Sequence, residues 1–288
     1  MKDLNYQLMK LCRDNRDGSY STRANRSRIL DLMANQLAEL RFRRMQATSL
    51  KPKHVDALVS LWKEQNISIG TMKNRLSALR WWAGKINKPG IIAGDNSAYG
   101  IGKRTNVAED SKAQYLTAKT LSRISDPYVR LSLKLQAAFG LRREEAIKFR
   151  PGYAIKGDHI KLKASWTKGG RARMVPITNG RQWALLAEVR KLTRGGALIP
   201  PTLKYVEQMN RYDHQVRMAG LKNPHGLRHA YAQRRYLELT GWKAPAAGGP
   251  ASKSLSSDQR ALDKGARETI SQELGHCREQ ISAVYLGR

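Results

Sequence analysis

The chain has little cysteine, few acidic residues and no long apolar run. Its 288 residues include two cysteines, Cys12 and Cys277, and neither belongs to a Cys-x-x-Cys pair. That spacing excludes a disulfide framework and a zinc finger built on cysteine. The N-terminus lacks the apolar core of a secretion signal, and nowhere do about 18 apolar residues follow one another. The sequence therefore predicts a soluble intracellular protein.

The shortage of acidic residues gives the chain a large positive charge. It carries 53 Lys and Arg against 23 Asp and Glu, a net charge of +30 at pH 7. Such an excess attracts polyanions and is typical of nucleic-acid-binding proteins, although a ribosomal or merely basic soluble protein is the alternative. Residues 1–110 hold 20 basic and 10 acidic residues, and residues 111–288 hold 33 and 13. Because both halves are basic, we expect DNA to contact both, as in a C-shaped clamp.

Helical periodicity predicts a small α-helical domain over residues 1–108. Apolar residues recur three and four positions apart in three segments, which are residues 21–45, 49–65 and 68–86. Ser49 is the predicted N-cap of the second helix. The apolar residues of the third helix face inward, which leaves three basic residues for solvent or for DNA phosphates: Lys73, Arg75 and Arg80.

A polar, glycine-rich stretch over about residues 88–112 predicts the linker to a second domain. Its GIGKRT is similar to a P-loop, which needs Gly five positions before the Gly-Lys pair and Ser or Thr directly after it. Ser97 and Arg104 occupy those positions. The sequence therefore does not support ATP binding.

Residues 112–288 predict a mainly α-helical second domain. Asp126 is a suitable N-cap before Pro127, and the apolar pattern that follows continues to Gly140. Further helices are expected after Gly140 and after Pro224. The predicted fold class is mainly α with a small β-hairpin or sheet (α+β).

Two segments interrupt the helices of this domain. Residues 159–177 alternate apolar and basic side chains around Gly169-Gly170, which predicts a β-hairpin with a glycine turn. Residues 241–257 are rich in Gly, Ala, Pro and Ser, which predicts an exposed loop.

Two arginine motifs have the chemistry to bind a phosphate. In HGLRH, His225 and Arg228 share one helical face near an N-terminus that favours an anion. A guanidinium can hold two phosphate oxygens, and an imidazole can move protons near neutral pH. In GLRREEAI, Arg142 follows a helix end, and Glu145 lies one turn on, where it could orient a basic neighbour. Taken alone, each motif is better explained by an ordinary helix of a basic protein.

Two further motifs supply a proton donor and a nucleophile. The hairpin tip carries Lys168, an ammonium that could donate a proton or contact a phosphate, and Arg171 and Arg173 are predicted contacts to the DNA backbone. The final segment, LGHCREQISAVY, places Tyr285 nine residues after His276. On one continuous helix these two would face opposite sides. We therefore expect the chain to turn between them, so that a short last helix aims the tyrosine back at the other motifs.

Together these residue types fit a phosphodiester transesterification without metal. A side-chain oxygen attacks the phosphorus, cationic side chains neutralise the five-coordinate phosphate, and an acid protonates the leaving 5′-oxygen.

In this order, the motifs resemble the tyrosine recombinase (phage integrase) family. That family has an arginine in Gly-Leu-Arg-x-x-Glu, a lysine on a β-hairpin tip, a His-x-Leu-Arg-His box, and a tyrosine nine residues after a Leu-Gly-His. This chain has GLRREE, TKGGRARMVPI, HGLRH and LGHCREQISAVY. The resemblance covers residues 112–288, and residues 1–108 are similar to the family's helical core-binding (SAM-like) domain.

The resemblance implies a nucleophile and a phosphate clamp. Arg142 and Arg228 would hold the scissile phosphate, and Glu145 would support the site. Tyr285 would attack, leaving a 3′-phosphotyrosyl bond and a free 5′-hydroxyl.

It also implies the groups that handle protons. Lys168 would protonate the 5′-oxygen, His225 would assist proton transfer, and His276 would hydrogen-bond a phosphate oxygen. Because the covalent link conserves the energy of the bond, neither ATP nor a metal ion is implied.

The implied partners are double-stranded DNA and further copies of the chain. The family works as a tetramer that exchanges strands through a Holliday junction, with accessory DNA-bending proteins as further expected partners. For this chain we expect integration or excision of a bacterial mobile element, in the cytoplasm at the nucleoid.

Two features depart from the family pattern. Between Arg228 and His276 lie 47 residues, an excess that residues 241–257 would account for as a surface insertion. Only three residues follow Tyr285, whereas many relatives have a longer tail that docks on the neighbouring protomer.

Three other functions compete with this hypothesis. A type IB topoisomerase uses similar tyrosine chemistry without exchanging partners. A DNA-binding relative could have the fold without catalysis. A metal-dependent nuclease or transposase needs clustered carboxylates, which this acid-poor chain does not show in sequence.

Overall fold

The structure, a computed structural model, describes residues 3–103, 107–276 and 278–288. Residues 104–106 of the predicted linker, with Arg104 of the P-loop comparison, and Cys277 lie outside the described residues. Within those described ranges, no helix combines the length and the apolar character that crossing a membrane requires.

The chain divides into two compact units, Met1–Thr105 and Asn106–Arg288. The first is a helical bundle with α1 (Asp3–Asp14), α2 (Tyr20–Glu39), α3 (Pro52–Glu64) and α4 (Ile69–Lys85). Ser19 and Ser68 cap α2 and α4, because each hydroxyl accepts from the backbone N–H three residues on at 3.2 Å.

The helices of the first unit differ from the prediction at three places. The predicted segments begin at residue 21, so α1 was not predicted. α2 ends at Glu39 instead of continuing to residue 45, and Arg41 follows with a φ of +67°, which a right-handed helix cannot contain. Ser49 belongs to a separate 3-10 turn, so its prediction as the N-cap of α3 is wrong. That helix begins at Pro52, whose missing N–H suits a first helical position.

The core of the first unit is built around Trp62 and Trp82, which are fully buried. Both indole N–H groups find acceptors, at 3.0 and 2.8 Å, so neither leaves a buried donor unpaired. Residues 89–101, which belong to the predicted linker, form two 3-10 turns on this unit. Ile92 and Ile101 of that stretch are buried in the same core.

The second unit is mainly helical and contains a small antiparallel sheet. Its helices are α5 (Ala118–Ser122), α6 (Pro127–Phe139), α7 (Arg143–Ile147), α8 (Pro151–Ala154), α9 (Gly180–Thr193), α10 (Tyr205–Met218), α11 (Gly226–Thr240), α12 (Ser257–Glu273) and α13 (Ala283–Leu286). The strands β1 (Ile155–Lys156), β2 (His159–Leu162) and β3 (Arg173–Pro176) pair in the order β1-β2-β3. The predicted hairpin is β2–β3, and the mainly α fold with a small sheet is confirmed.

One apolar core joins the sheet to the long helices of the second unit. Its largest buried side chains include Phe139, Phe149 and Tyr236. Tyr285 and Leu286 of α13 belong to the same core. The predicted nucleophile is therefore anchored in the protein interior.

Residues 241–257 support α13, which differs from the exposed loop that was predicted. Three of their side chains are buried: Ala244, Ala246 and Leu255. The backbone of this segment also lies against the end of the chain, since a Cβ on Gly287 would come within 2.8 Å of the Ala246 nitrogen. Small residues allow this close approach, so their composition reflects packing as well as turns.

Candidate active site

The side chain of Arg228 lies at the centre of the candidate site. It projects from the first turn of α11 and is 1% exposed. Its two Nη groups donate to the carbonyls of Gly140 and Leu274, and its Nε donates to the Tyr285 hydroxyl at 3.2 Å. Burial lowers the pKa of the guanidinium to about 10, so it stays charged at neutral pH. Three oxygens thus hold a buried cation, and one of them belongs to the tyrosine.

Two helix ends supply the carbonyls that bind this cation. Gly140 ends α6 with a φ of +62°, and a Cβ there would lie 2.5 Å from the Tyr231 ring. Leu274 ends α12, and Gly275 follows with a φ of +69°. Carbonyls at helix C-termini carry partial negative charge, which suits a guanidinium. The Gly-Leu-Arg and Leu-Gly-His motifs therefore mark two helix ends that meet at Arg228.

Arg142 and Glu145 form the second part of the site. Glu145 is fully buried, and its two oxygens accept from Arg142 Nη1 at 2.8 Å and from the Arg142 backbone N–H at 2.6 Å. The Nη2 of Arg142 donates to the Leu274 carbonyl at 3.3 Å, the oxygen that Arg228 also uses. The two arginines predicted to clamp a phosphate therefore meet at one carbonyl.

Arg173 also belongs to this network. The sequence had predicted that it contacts the DNA backbone instead. Its Nη1 and Nη2 donate to the two Glu145 oxygens at 2.6 Å each, and its Nε donates to the Glu273 carbonyl at 2.9 Å. Burial alone would raise the pKa of Glu145, but the hydrogen bonds and charges of Arg173 and Arg142 outweigh it and lower that pKa to about 2. A sequence signal existed: Arg173 and Val175 are two apart in β3, and both face the core.

As predicted, the chain turns between His276 and Tyr285. A 3-10 turn and the short helix α13 follow α12 and bring the tyrosine back to the histidine. His276 Nε2 lies 3.4 Å from the Tyr285 hydroxyl and 3.4 Å from Arg228 Nη2. Burial, followed by neighbouring cations of which Arg228 is the strongest, lowers the pKa of His276 to about 4. A neutral imidazole and a guanidinium therefore flank the phenol oxygen.

Two more histidines surround the ring of Tyr285. The ring centre of His225 lies 6.2 Å from that of the tyrosine, and desolvation followed by the charge of Arg228 lowers the pKa of His225. His229 is 4% exposed, with its ring centre 4.6 Å from that of the tyrosine. Burial and then His225 lower the pKa of His229 to about 4. The prediction named His225 alone, although four-residue spacing places both on one helical face.

The tip of the β2–β3 hairpin is exposed. Lys168, Gly169 and Gly170 face solvent, and the two glycines have φ values of 84° and 67°. Arg171 is exposed as well, and its carbonyl accepts from the Thr167 hydroxyl at 2.6 Å. Among the described residues, no hydrogen bond or ion pair binds the Lys168 ammonium. The predicted proton donor is therefore not held by a polar partner here.

The three basic residues predicted to face DNA on α4 differ in their surroundings. Lys73 is partly buried, as Arg75 and Arg80 are. Arg75 packs 5.3 Å over the Trp62 ring, and burial lowers its pKa. Arg80 donates to the Ala93 carbonyl from two nitrogens, at 3.0 and 2.7 Å. Arg75 and Arg80 thus stabilise the first unit through packing and hydrogen bonds, and the DNA contact of Lys73 stays a prediction.

The geometry of the site suits attack by a tyrosine on a phosphate. The guanidinium of Arg228 donates to the Tyr285 oxygen and so holds that oxygen beside a fixed positive charge. A neutral imidazole beside it can accept a proton. Among the residues that the structure describes, no group of three or more His, Cys, Asp or Glu is arranged to hold a metal ion.

Two family models match the chain. A model of the phage integrase N-terminal domain matches residues 1–88, and a model described as integrase matches residues 99–234. Together they cover most of the chain, which therefore belongs to the phage integrase family, the tyrosine recombinases. No curated protein matches the chain.

Solved structures of recombinases have a similar fold. The Tn1549 transposon integrase in complex with circular intermediate DNA is 14% identical, with 100% of this chain and 96% of that chain covered and a TM-score of 0.56. The XerH recombinase in its post-cleavage complex with palindromic difH is 18% identical, with 99% and 81% covered and a TM-score of 0.60. A lambda integrase tetramer bound to a Holliday junction is 15% identical, with 96% and 77% covered and a TM-score of 0.57.

Proposed function

We propose that this chain is a site-specific DNA recombinase that cuts and rejoins strands through Tyr285. The position of the Tyr285 hydroxyl carries the proposal: it accepts a hydrogen bond from Arg228 at 3.2 Å and lies 3.4 Å from His276. A tyrosine that serves packing alone needs neither a buried cation nor a neutral imidazole at its oxygen. Membership of the integrase family supports the same conclusion.

The proposed step is a transesterification. The Tyr285 oxygen forms a bond to phosphorus while the bond from phosphorus to the 5′-oxygen breaks, which yields a 3′-phosphotyrosyl link and a free 5′-hydroxyl. The phenol proton passes to His276, whose Nε2 lies 3.4 Å from the Tyr285 hydroxyl, and His225 assists this proton transfer. The protonated His276 then hydrogen-bonds a phosphate oxygen. Lys168 gives a proton to the leaving 5′-oxygen.

Arg142 and Arg228 neutralise the charge that the five-coordinate phosphate gains. Arg228 would contact the phosphate through Nε, the nitrogen that already donates to the Tyr285 hydroxyl. Arg142 contributes its outer edge, since its side chain is 20% exposed. Because the covalent link conserves the energy of the broken bond, attack by another 5′-hydroxyl can rejoin the strands without ATP.

The first unit would bind the DNA beside the cleavage site, and the second would cut it. Likeness to the Tn1549 transposon integrase supports integration or excision of a mobile element. Likeness to the lambda integrase tetramer on a Holliday junction supports a homotetramer that exchanges strands through such a junction. We place this activity at the bacterial nucleoid, with DNA-bending proteins as accessory partners.

Covalent trapping tests the proposal. Wild-type and Tyr285→Phe protein are mixed with sheared genomic DNA in EDTA, the protein is denatured and precipitated, and the attached DNA is sequenced. We expect an adduct at one recurrent junction with the wild type and none with the variant, because only the nucleophile is lost.

The other outcomes identify the competing functions. Adducts scattered without sequence preference would indicate a type IB topoisomerase. DNA binding without any adduct would indicate a relative that has the fold but not the catalysis, and an adduct with Tyr285→Phe would rule out Tyr285 as the nucleophile.

A further inference from the structure

The Glu145 carboxylate is shared by two arginines, and only one of them reaches solvent. The exposed fractions of the side chains are 0% for Glu145, 6% for Arg173 and 20% for Arg142. Arg173 engages both carboxylate oxygens at 2.6 Å, whereas the side chain of Arg142 reaches one oxygen at 2.8 Å. The carboxylate is therefore bound chiefly by the arginine that has no access to DNA.

The Glu145 carboxylate binds only one side-chain nitrogen of Arg142, so it does not hold a pair of parallel N–H groups of that guanidinium. One of its Nη groups is bound to Glu145, and the other makes a long 3.3 Å contact to the Leu274 carbonyl. A guanidinium can present two parallel N–H groups to a phosphate only if a carboxylate does not already hold that pair. A buried carboxylate without a second partner would compete for the pair, since an unpaired buried charge is strongly unfavourable.

Arg173 is also attached to the turn that carries His276. Its Nε donates to the Glu273 carbonyl at 2.9 Å, and a Cβ on Gly275 would lie 2.9 Å from its Cδ. The side chain of Arg173 thus connects β3, the start of α7 and the end of α12 in one buried contact. Its position is fixed by the interior of the protein.

We infer that Arg173 is a positioning residue, which binds the Glu145 carboxylate so that Arg142 keeps a bidentate guanidinium edge for the scissile phosphate. The inference rests on the proposed function. It assigns Arg173 to the reaction through Arg142, without contact to the substrate.

Changing the charge of the phosphate tests this role. The substrate is a duplex that spans the junction recovered by trapping, with either a normal phosphate or a neutral methylphosphonate at the scissile position. Arg173→Met should form adduct about 10²-fold more slowly on the phosphate, the size of effect expected when a preorganised donor is lost. On the methylphosphonate the loss should be less than about tenfold, because less negative charge has to be neutralised.

Two controls accompany this variant. Met174→Ala changes the exposed neighbour on the same strand and should match the wild type on both substrates. Arg142→Ala removes the proposed phosphate contact itself, and it should show the same dependence on phosphate charge as Arg173→Met.

A second variant separates positioning from a general loss of structure. In Arg173→Met with Glu145→Gln, the buried charges disappear together, and the amide oxygen can still accept from Arg142. This double variant should recover at least about tenfold over Arg173→Met, since coupled sites are not additive. If Arg173→Met does not fold, Arg173→Lys keeps the cation without the fork and should show the same dependence on phosphate charge.

The outcomes are distinguishable from failure of the proposed function. Equal losses on phosphate and methylphosphonate, or no loss on either, would overturn the role of Arg173 while Tyr285 chemistry stands. No adduct with the wild type on any DNA would overturn the function and this inference together.

Discussion

The buried centre of the site and the tip of the β2–β3 hairpin would serve one reaction, but they are ordered in different ways. The buried centre comprises Arg142, Glu145, Arg173, Arg228, His276 and Tyr285, and the hairpin tip comprises residues 167–171. In the centre, Tyr285 and Arg228 are 4% and 1% exposed and are joined by a hydrogen bond. At the tip, Lys168 is exposed on a turn of two glycines with positive φ.

If Tyr285 and the arginines act as proposed, the nucleophile and the phosphate clamp are assembled before DNA binds. Preorganised donors stabilise the developing charge without rearranging during the reaction. An exposed glycine turn loses more backbone entropy when it is ordered, so contact with DNA would have to supply that free energy. In the proposed reaction, the step that depends on bound DNA is therefore the proton transfer from Lys168.

Among variants that retain Tyr285, Lys168→Ala should have the largest effect, a loss of about 10³-fold in cleavage rate, within the range of general acid catalysis. Replacing the leaving 5′-oxygen with sulfur should restore most of the rate, because a thiolate leaves without a proton. Single-turnover adduct formation on the two substrates measures this. A loss of equal size on both would remove Lys168 from the acid role and break the contrast drawn here.

Arg228→Lys should slow cleavage by about 10²-fold while DNA binding persists. The lysine keeps the charge but cannot bind the Gly140 and Leu274 carbonyls and the Tyr285 hydroxyl together. The sulfur substrate should not rescue this variant, since its defect lies in neutralising the phosphate. Rescue equal to that of Lys168→Ala would show that the buried centre and the tip act on the same step.

The free energy of unfolding should decrease as the pH falls below about 6.5, because groups of the buried centre become protonated. The folded pKa of His276 is about 4 instead of the ordinary 6.5, so its contribution is complete above 6.5 and is lost as pH falls toward 4. Glu145, with a pKa of about 2 instead of 4.5, adds a loss from 4.5 downward. The unfolding temperature, measured from pH 8 to pH 4, should fall less steeply in His276→Asn than in the wild type. Parallel declines would mean that His276 does not couple folding to pH.

The smallest effect is expected on α4, outside both regions. Lys73→Ala should weaken binding to all DNA sequences and reduce the salt-dependence slope by about one. The matched variant Arg75→Ala should lower the unfolding temperature instead, because that side chain packs on Trp62. An unchanged slope for Lys73→Ala would place the DNA elsewhere on the first unit.

Much of the candidate site could be predicted from residue type and spacing. Tyr285 lies nine positions after His276, which would place the two on opposite sides of one α-helix. The chain therefore has to turn between them, and the structure has such a turn. The Asp126-Pro127 and Gly140 signals correctly bracket α6. Local rules of this kind act over a few residues, so they can be read without the fold.

The DNA contacts were harder to predict from the sequence, because a basic residue looks the same in sequence whether it faces DNA or a buried carboxylate. Arg173 and Arg80 both have internal partners that lie far away or in a separate segment of the chain. In the same way, the small residues of 241–257 indicate a loop by composition but pack under α13. Each outcome depends on which residues, far away in the sequence, lie next to the side chain in the folded protein.

By itself, the sequence determined the family, the mainly helical fold and the order of the chemical groups, since these follow from periodicity and from motifs a few residues long. Only the tertiary structure decided which cations are committed to the interior. Glu145 draws Arg173 inward, and the Leu274 carbonyl gathers Arg142 and Arg228 at one point. The physical reason is that burying a charge is favourable only beside its partner, and those partners lie 28, 132 and 46 residues apart in the chain.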